Sequence, residues 1–358
     1  MKLFLKIGAY AFLVLACLEI ALQIYNPFAG RVKNGQIVLP VRTRYILDMP
    51  PRQGMDTHIV HSKNSLGFRG PEPYDSAKTR ILCMGGSTTE CFYLNDGKDW
   101  PTVLGNHLAE QNPLIWVNNA GMDGQSTFGH LQMLKQYILK LKPEYIILMC
   151  GLNDMGLDTP GRFDNQHSWF SKAYQFLELP STIMNISRAG KAKRTGLNHQ
   201  FIGDLRKAEK LEMSDSAIAE RLQKEARYLG EYNARITEFA NICRDNNIKL
   251  IFVSQSILFS DENELMSNVY LGNLKTGEIN GKTRAYILKL YNKATYDLAL
   301  SREIPYINLA ARLPKDARFF YDGYHFTIDG AEMAAEIIYD EIKSKKLIPT
   351  LQNGTNSQ

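Results

Sequence analysis

From residue 80 onward, five short apolar runs punctuate the chain: "RILCMG", "IWVNNAG", "YIILMCG", "KLIFVSQS" and "IPYINLA". Each is short for a helix and is bounded by glycine or polar residues, which predicts a strand. Between them the apolar positions recur with a helical period, in "WPTVLGNHLAEQ", "TFGHLQMLKQYILKLK", "AIAERLQKEARYLGEYNARITEFANICRDN" and "TRAYILKLYNKATYDLALSRE". A final helical run, "DGAEMAAEIIYDEIKSKK", precedes a polar tail. Strands that are apolar throughout and alternate with amphipathic helices imply a parallel sheet covered on both faces. The expected organisation is an α/β domain over 76–347, with a tail over 348–358.

Two stretches depart from that rhythm. Residues 26–75 are spotted with proline and hold short β-like pieces, "GQIVLPV" and "HIVHSKNSLGFRG", with no helical period. They are expected to form an extended connector or a small β appendage. Residues 156–214 are far longer than the usual link between strand and helix, and carry "HSWFSKAYQFLELPSTIMNISRAGKAKR". That insertion reads either as a lid that shapes a substrate site or as a packed pair of surface helices.

The N-terminus is apolar in a different way. After Lys2 and Lys6 the run from Ile7 to Leu18 is unbroken, and it continues less purely to Tyr25. At about 1.5 Å of rise per residue such a helix just crosses a bilayer core. No small-residue cleavage site follows it, and Val14-Leu15-Ala16-Cys17 is a poor lipoprotein box because apolar residues continue past the cysteine. Residues 1–25 are therefore expected to be an uncleaved single-pass anchor. The lysines put the N-terminus in the cytoplasm and the rest of the chain on the extracytoplasmic side. Arg31 and Lys33 oppose that orientation without reversing it.

With 44% hydrophobic and 22% charged residues the composition is that of a globular protein, and a net charge of +5 is small for 358 residues. The densest basic run, "RAGKAKRTG", lacks interleaved aromatics, so no nucleic-acid partner is expected. Five cysteines without paired spacing support neither a disulfide framework nor a zinc site.

Ligands of open parallel sheets bind beyond the carboxyl ends of the strands. Ser87 follows the first strand, "NNAGMDGQST" the second, "GLNDMG" the third, and "YDGYHFTIDG" lies after the last. These ends bring together a hydroxyl, a glycine-flanked amide, a carboxamide and an Asp-x-x-His pair. Such a set suits acyl transfer. A serine needs a base to take its proton, and His325 oriented by Asp322 is such a base. Charge developing on an attacked carbonyl oxygen needs fixed donors, available from the N–H of Ser87, the N–H of Gly124 and the amide of Asn153. Taken singly, each residue has a plainer role. Ser87 could cap the next helix, Asn153 could cap one beginning at Met155, Asp154 could cap or brace, Gly121 and Gly124 could both be turn glycines, and His325 could be structural like the other six histidines.

In chain order, "GGST", "NAGMDGQS", "GLND" and "DGYH" resemble the sequence blocks of the SGNH hydrolase (GDSL esterase/lipase) superfamily. "NSLGFRG" is similar to the lead-in of its membrane-anchored bacterial members. The resemblance implies a three-layer α/β/α sandwich, with a flavodoxin-like parallel sheet of about five strands behind the N-terminal transmembrane helix. It also implies Ser87 as nucleophile, His325 as base, Asp322 as its partner, and Ser87, Gly124 and Asn153 as the oxyanion hole. Gly86 departs from the family pattern, standing where aspartate is usual. The activity so implied is a serine esterase that removes short acyl groups, such as acetyl, from a carbohydrate or cell-envelope substrate. An O-acyltransferase on an envelope or exported polysaccharide would use the same triad. An inactive glycan-binding protein is disfavoured by the intact set of residues. No metal or organic cofactor is called for. A general α/β-hydrolase fits less well, since G-x-S-x-G is absent.

Overall fold

The structure, a computed structural model, describes residues 2–24, 26, 32–33, 36–161, 164, 177–180, 182–183 and 203–349. The chain divides into two compact units. The first comprises Met1–Val38 and Asn165–Gln200. Its helix α1 (Lys2–Ile24) has a mean hydropathy of 2.0 over Leu3–Ile24, long and apolar enough to cross a membrane or to act as a signal sequence. Two-residue strands β1 (Val32–Lys33) and β2 (Gln36–Ile37) pair antiparallel after it. The acidic residue of α1 is not left bare. Glu19 accepts the backbone N–H groups of Glu178 at 2.7 Å and Leu179 at 2.8 Å, at the start of a helical turn in the long insertion. The Asn26 amide donates to Glu178 and Thr182. Most of the expected 156–214 insertion lies outside the described residues.

The second unit, Leu39–Asp164 with Phe201–Gln358, contains the sheet. The stretch expected as a connector thus divides, and its larger part belongs to this unit, where β3 (Arg44–Asp48) and β4 (His58–Ser62) form an antiparallel hairpin. The central sheet is built from β5 (Thr79–Gly85), β6 (Ile115–Asn119), β7 (Tyr145–Met149), β8 (Lys249–Val253) and β11 (Tyr306–Ile307). All its pairings are parallel, in the order β11-β8-β7-β5-β6. A small hairpin of β9 (Lys275–Thr276) and β10 (Ile279–Asn280) stands apart from it. Every residue of β6 and β7 is buried; β7 reads as unbroken apolar text, whereas β6 ends in Asn118 and Asn119, whose amides donate to the Pro71 and Thr89 carbonyls.

Helices flank the sheet in two packed groups. One joins α3 (Trp100–Gln111) to α7 (Ile328–Ser344). The other joins α4 (Thr127–Met133), α5 (Asp215–Asp245) and α6 (Gly281–Ser301). A π turn over Leu134–Ile138 and a last turn at Leu139–Leu141 extend α4. Caps fall where the sequence offers them: Asp99 accepts from Thr102, Ser214 from Ala217 and Thr327 from Gly330. This strand order reverses direction between β5 and its neighbours, so the loops after β5 and β7 part and leave a crevice at the carboxyl ends.

Candidate active site

Strand β5 ends in two glycines that the packing demands. A Cβ on Gly85 would stand 2.1 Å from the Thr89 hydroxyl and 2.7 Å from the Met149 carbonyl. One on Gly86 would stand 2.3 Å from the Asn153 amide nitrogen. That contact gives a physical reason for glycine at this position: a side chain there would displace Asn153. Ser87 then opens the four-residue helix α2 (Ser87–Glu90). No side chain caps α2; the Ser87 hydroxyl lies 2.7 Å from His325 Nε2.

His325 is fixed from its other side. Its Nδ1 is 2.7 Å from Asp322 Oδ2, while Asp322 Oδ1 accepts the backbone N–H groups of Tyr324 and His325, each at 2.7 Å. The carboxylate therefore shapes the turn that carries the imidazole as well as the imidazole itself. Tyr321 stacks on the ring at 5.5 Å with an interplanar angle of 10°. Burial pushes the Tyr321 hydroxyl well above its ordinary pKa, so it is a neutral wall.

The loop after β6 separates the two candidate glycines. Gly121 donates its N–H to Asn119 Oδ1 at 2.9 Å, and it is glycine because a Cβ would meet the Glu90 nitrogen at 2.4 Å. Gly124 has φ +70°, and Gln125 N–H closes a turn onto the Met122 carbonyl. This is a turn whose third residue needs the left-handed region. Among the described residues neither the N–H of Gly124 nor that of Ser87 donates to a protein acceptor, so both are available to a ligand.

Asn153 lies in a 3-10 turn, Leu152–Asp154, and no helix begins at Met155, so the expected cap is absent. Its amide instead donates to the Gln125 carbonyl at 3.0 Å. Asp154 braces this arrangement, accepting the Thr127 N–H at 3.0 Å, the Thr127 hydroxyl and, at 3.3 Å, Arg235. Burial pushes the Asp154 carboxyl up, against the pull of Thr127 and Arg235.

Several residues that hold the site were not foreseen. Glu90 is 4% exposed; its carboxylate takes Lys63 Nζ at 2.7 Å and the N–H of Asp123 at 2.6 Å. A lysine on the chain leaving β4 thus sets the carboxylate that anchors the residue next to Gly124. Arg69, 1% exposed, donates to the carbonyls of Glu90, Cys91, Leu94 and Asn95, and its Nε lies 3.1 Å from Asp99. The "NSLGFRG" stretch is therefore the brace of the loop that follows Ser87 and α2. A charged residue amid "LGF" and glycine was the one local signal of burial.

The remaining histidines stand away from this chemistry. Burial drives His130 down to about 3, and burial with Lys63 and Arg69 drives His61 down to about 3. His58 pairs with Asp48 at the surface, and His107 packs on Tyr339. His167 and His199 lie outside the described residues. Four cysteines, Cys83, Cys91, Cys150 and Cys243, are buried and free.

Residues 83–333 match the model of the GDSL-like lipase/acylhydrolase family. Among solved structures, the chain is similar to the acetylxylan esterase Axe2 of Geobacillus stearothermophilus. The identity is 15% and the TM-score 0.44, over 74% of this chain and 94% of that one. It is also similar to LAE5, an alpha/beta hydrolase enzyme from the metagenome of Lake Arreo. There the identity is 14% and the TM-score 0.44, over 75% and 96% of the two chains. No curated protein sequence matches significantly.

Proposed function

The chain belongs to the GDSL-like lipase/acylhydrolase family, an enzyme acting on ester bonds, and we propose that it works through an acyl-enzyme formed on Ser87. The observation that carries this reading is the continuous line from the Ser87 hydroxyl through His325 to Asp322, with two contacts of 2.7 Å each. Ser87 Oγ attacks the ester carbonyl carbon as its proton passes to His325 Nε2, and the carbonyl electrons move onto oxygen. The free N–H groups of Ser87 and Gly124 and the Asn153 amide receive that charge. Collapse of the adduct breaks the bond to the alcohol, which leaves with the proton from Nε2. Water then repeats the attack on the acyl-serine, releasing the acid and restoring the serine.

The acyl group in this reading is short, acetyl in the simplest case. The alcohol belongs to a carbohydrate or envelope polymer outside the cell, where an anchor oriented by Lys2 and Lys6 would hold the enzyme. An acceptor hydroxyl replacing water would make it an O-acyltransferase. The test is to supply 4-nitrophenyl esters from acetyl to long-chain acyl, with and without a glycan acceptor. Fastest turnover of acetyl with free acid as product is expected. Acylated glycan as the main product would assign the transferase instead, and no turnover of any ester would refute the acyl-enzyme.

Asn153 offers a separate check. As an oxyanion donor it meets charge that is complete only in the transition state, so Asn153→Asp should lower kcat about 10²- to 10³-fold and leave KM nearly unchanged. The aspartate also loses the donor to the Gln125 carbonyl, at a stability cost of about 0.5 to 1.5 kcal/mol. Steady-state kinetics and thermal melting on one preparation read both. Retained kcat would remove Asn153 from the oxyanion hole.

A further inference from the structure

Arg284, like Arg221, carries a buried Nε without an acceptor. It lies in the first turns of α6, half-buried, with its Nη1 3.8 Å from Met155 Sδ and its guanidinium 6.0 Å from the centre of the Tyr324 ring. No carboxylate of the described residues lies within ion-pairing distance of Arg284. Other cations of the unit are paired, Lys282 with Asp261, Lys275 with Glu209, and the more deeply buried Arg69 and Arg235 with Asp99 and Asp154, while Lys315 is held by the Ser256 hydroxyl and the Ile257 carbonyl. A partly desolvated guanidinium without an anion is costly in a folded protein.

Its position relates that charge to the chemistry. Met155 is two residues beyond Asn153, and Tyr324 adjoins His325 with ring centres 6.3 Å apart. Tyr324 is held in place by Phe259 at 5.3 Å and by the Thr276 hydroxyl. Arg284 is therefore linked to His325 through Tyr324, two ring contacts from the imidazole. In the acyl-enzyme mechanism, on which this inference rests, His325 gives its proton to the departing alcohol, so the alcohol half of the ester must lie on that side. A planar guanidinium fits a carboxylate or phosphate through two parallel hydrogen bonds.

We propose that Arg284 is a recognition site for a carboxylate or phosphate carried by the alcohol half of the substrate, which makes the enzyme an esterase of acidic rather than neutral glycans. Uronate and sugar phosphate are the two sources of such an anion.

The test uses the full chain in detergent, with 4-nitrophenyl acetate hydrolysis as the signal and acidic sugars as competitors. Oligogalacturonate is compared with its methyl-esterified twin, and glucose 6-phosphate with glucose. The acidic member of at least one pair should inhibit about ten- to a hundredfold more strongly than its neutral twin. Arg284→Gln should bring that ratio to near one, Arg284→Lys should keep part of it, and Lys282→Gln should leave it in place. The pair that responds names the source. Equal inhibition by acidic and neutral sugars, no inhibition by either, or a preference that survives in Arg284→Gln would each overturn the proposal. Failure of the wild-type chain to hydrolyse 4-nitrophenyl acetate would instead strike the acyl-enzyme reading, and the inference would fall with it.

Discussion

Replacing Ser87 with alanine is expected to lower kcat on 4-nitrophenyl acetate on the order of 10⁴- to 10⁶-fold and to abolish labelling by a fluorophosphonate. The hydroxyl lies 2.7 Å from His325 Nε2 and stands beside N–H groups that, among the described residues, have no protein acceptor. The fold should survive the change. Ser87 opens α2 without capping it, and the structural bonds of that turn come from backbone groups: Thr89 and Glu90 donate to the Gly86 carbonyl, and Cys91 to that of Ser87. What is lost is one hydrogen bond to His325, worth about 0.5 to 1.5 kcal/mol. Rate, labelling and melting temperature should be read on the same preparation. An alanine variant that still turns over ester would move the nucleophile elsewhere.

Asp322→Asn is expected to cost about 10⁴-fold in kcat while keeping the turn. The asparagine carbonyl can still accept the N–H groups of Tyr324 and His325, as Asp322 Oδ1 does at 2.7 Å. Its amide, however, would face His325 Nδ1 as a donor, which forces the imidazole proton onto Nε2. That nitrogen then offers a proton to Ser87 when it should receive one. Asp322→Ala serves as the contrast, because it removes the acceptor of the two backbone donors as well and should lower stability by about 1 to 3 kcal/mol. Comparing kcat with melting temperature across the two variants separates orientation of the base from support of its loop. Near wild-type kcat in the asparagine variant would leave Asp322 with the loop alone.

Much of this arrangement was open to reading from the amino-acid order. Unbroken apolar runs such as "YIILM" declare strands covered on both faces, and the helical periods between them declare what covers them. Once strands and helices alternate, a single rule about parallel sheets sends the residues after each strand to one crevice. The order Ser87, Asn153, Asp322 and His325 could thus be recognised before any distance was known, because each of these groups sits at an element's end and such ends are marked by glycine and polar residues. Gly124 is preferred to Gly121 only by its register in the family blocks that the sequence resembles.

What the pattern could not supply were the relations between segments far apart in the chain. Gly121 and Gly124 are equivalent as text; only the packed loop shows that the first has spent its N–H on Asn119 and the second has not. Asn153 looked like a cap because local preference favours one, but the amide is claimed by the Gln125 carbonyl across the crevice. Lys63 and Glu90, 27 positions apart, read as ordinary surface charges until the fold buries them against each other and against the loop of Asp123. That no carboxylate among the described residues pairs with Arg284 is also tertiary, since a charge is paired or unpaired only with respect to neighbours that folding brings. Periodicity records which way a side chain faces, and it does so locally, so sequence alone determined the sheet, its helices and the order of the site residues. Hydrogen bonds and ion pairs depend on both partners at once, so the availability of each donor, the bracing of the loop of Asp123 and Gly124 and the lack of a carboxylate near Arg284 among the described residues were decided by the tertiary structure.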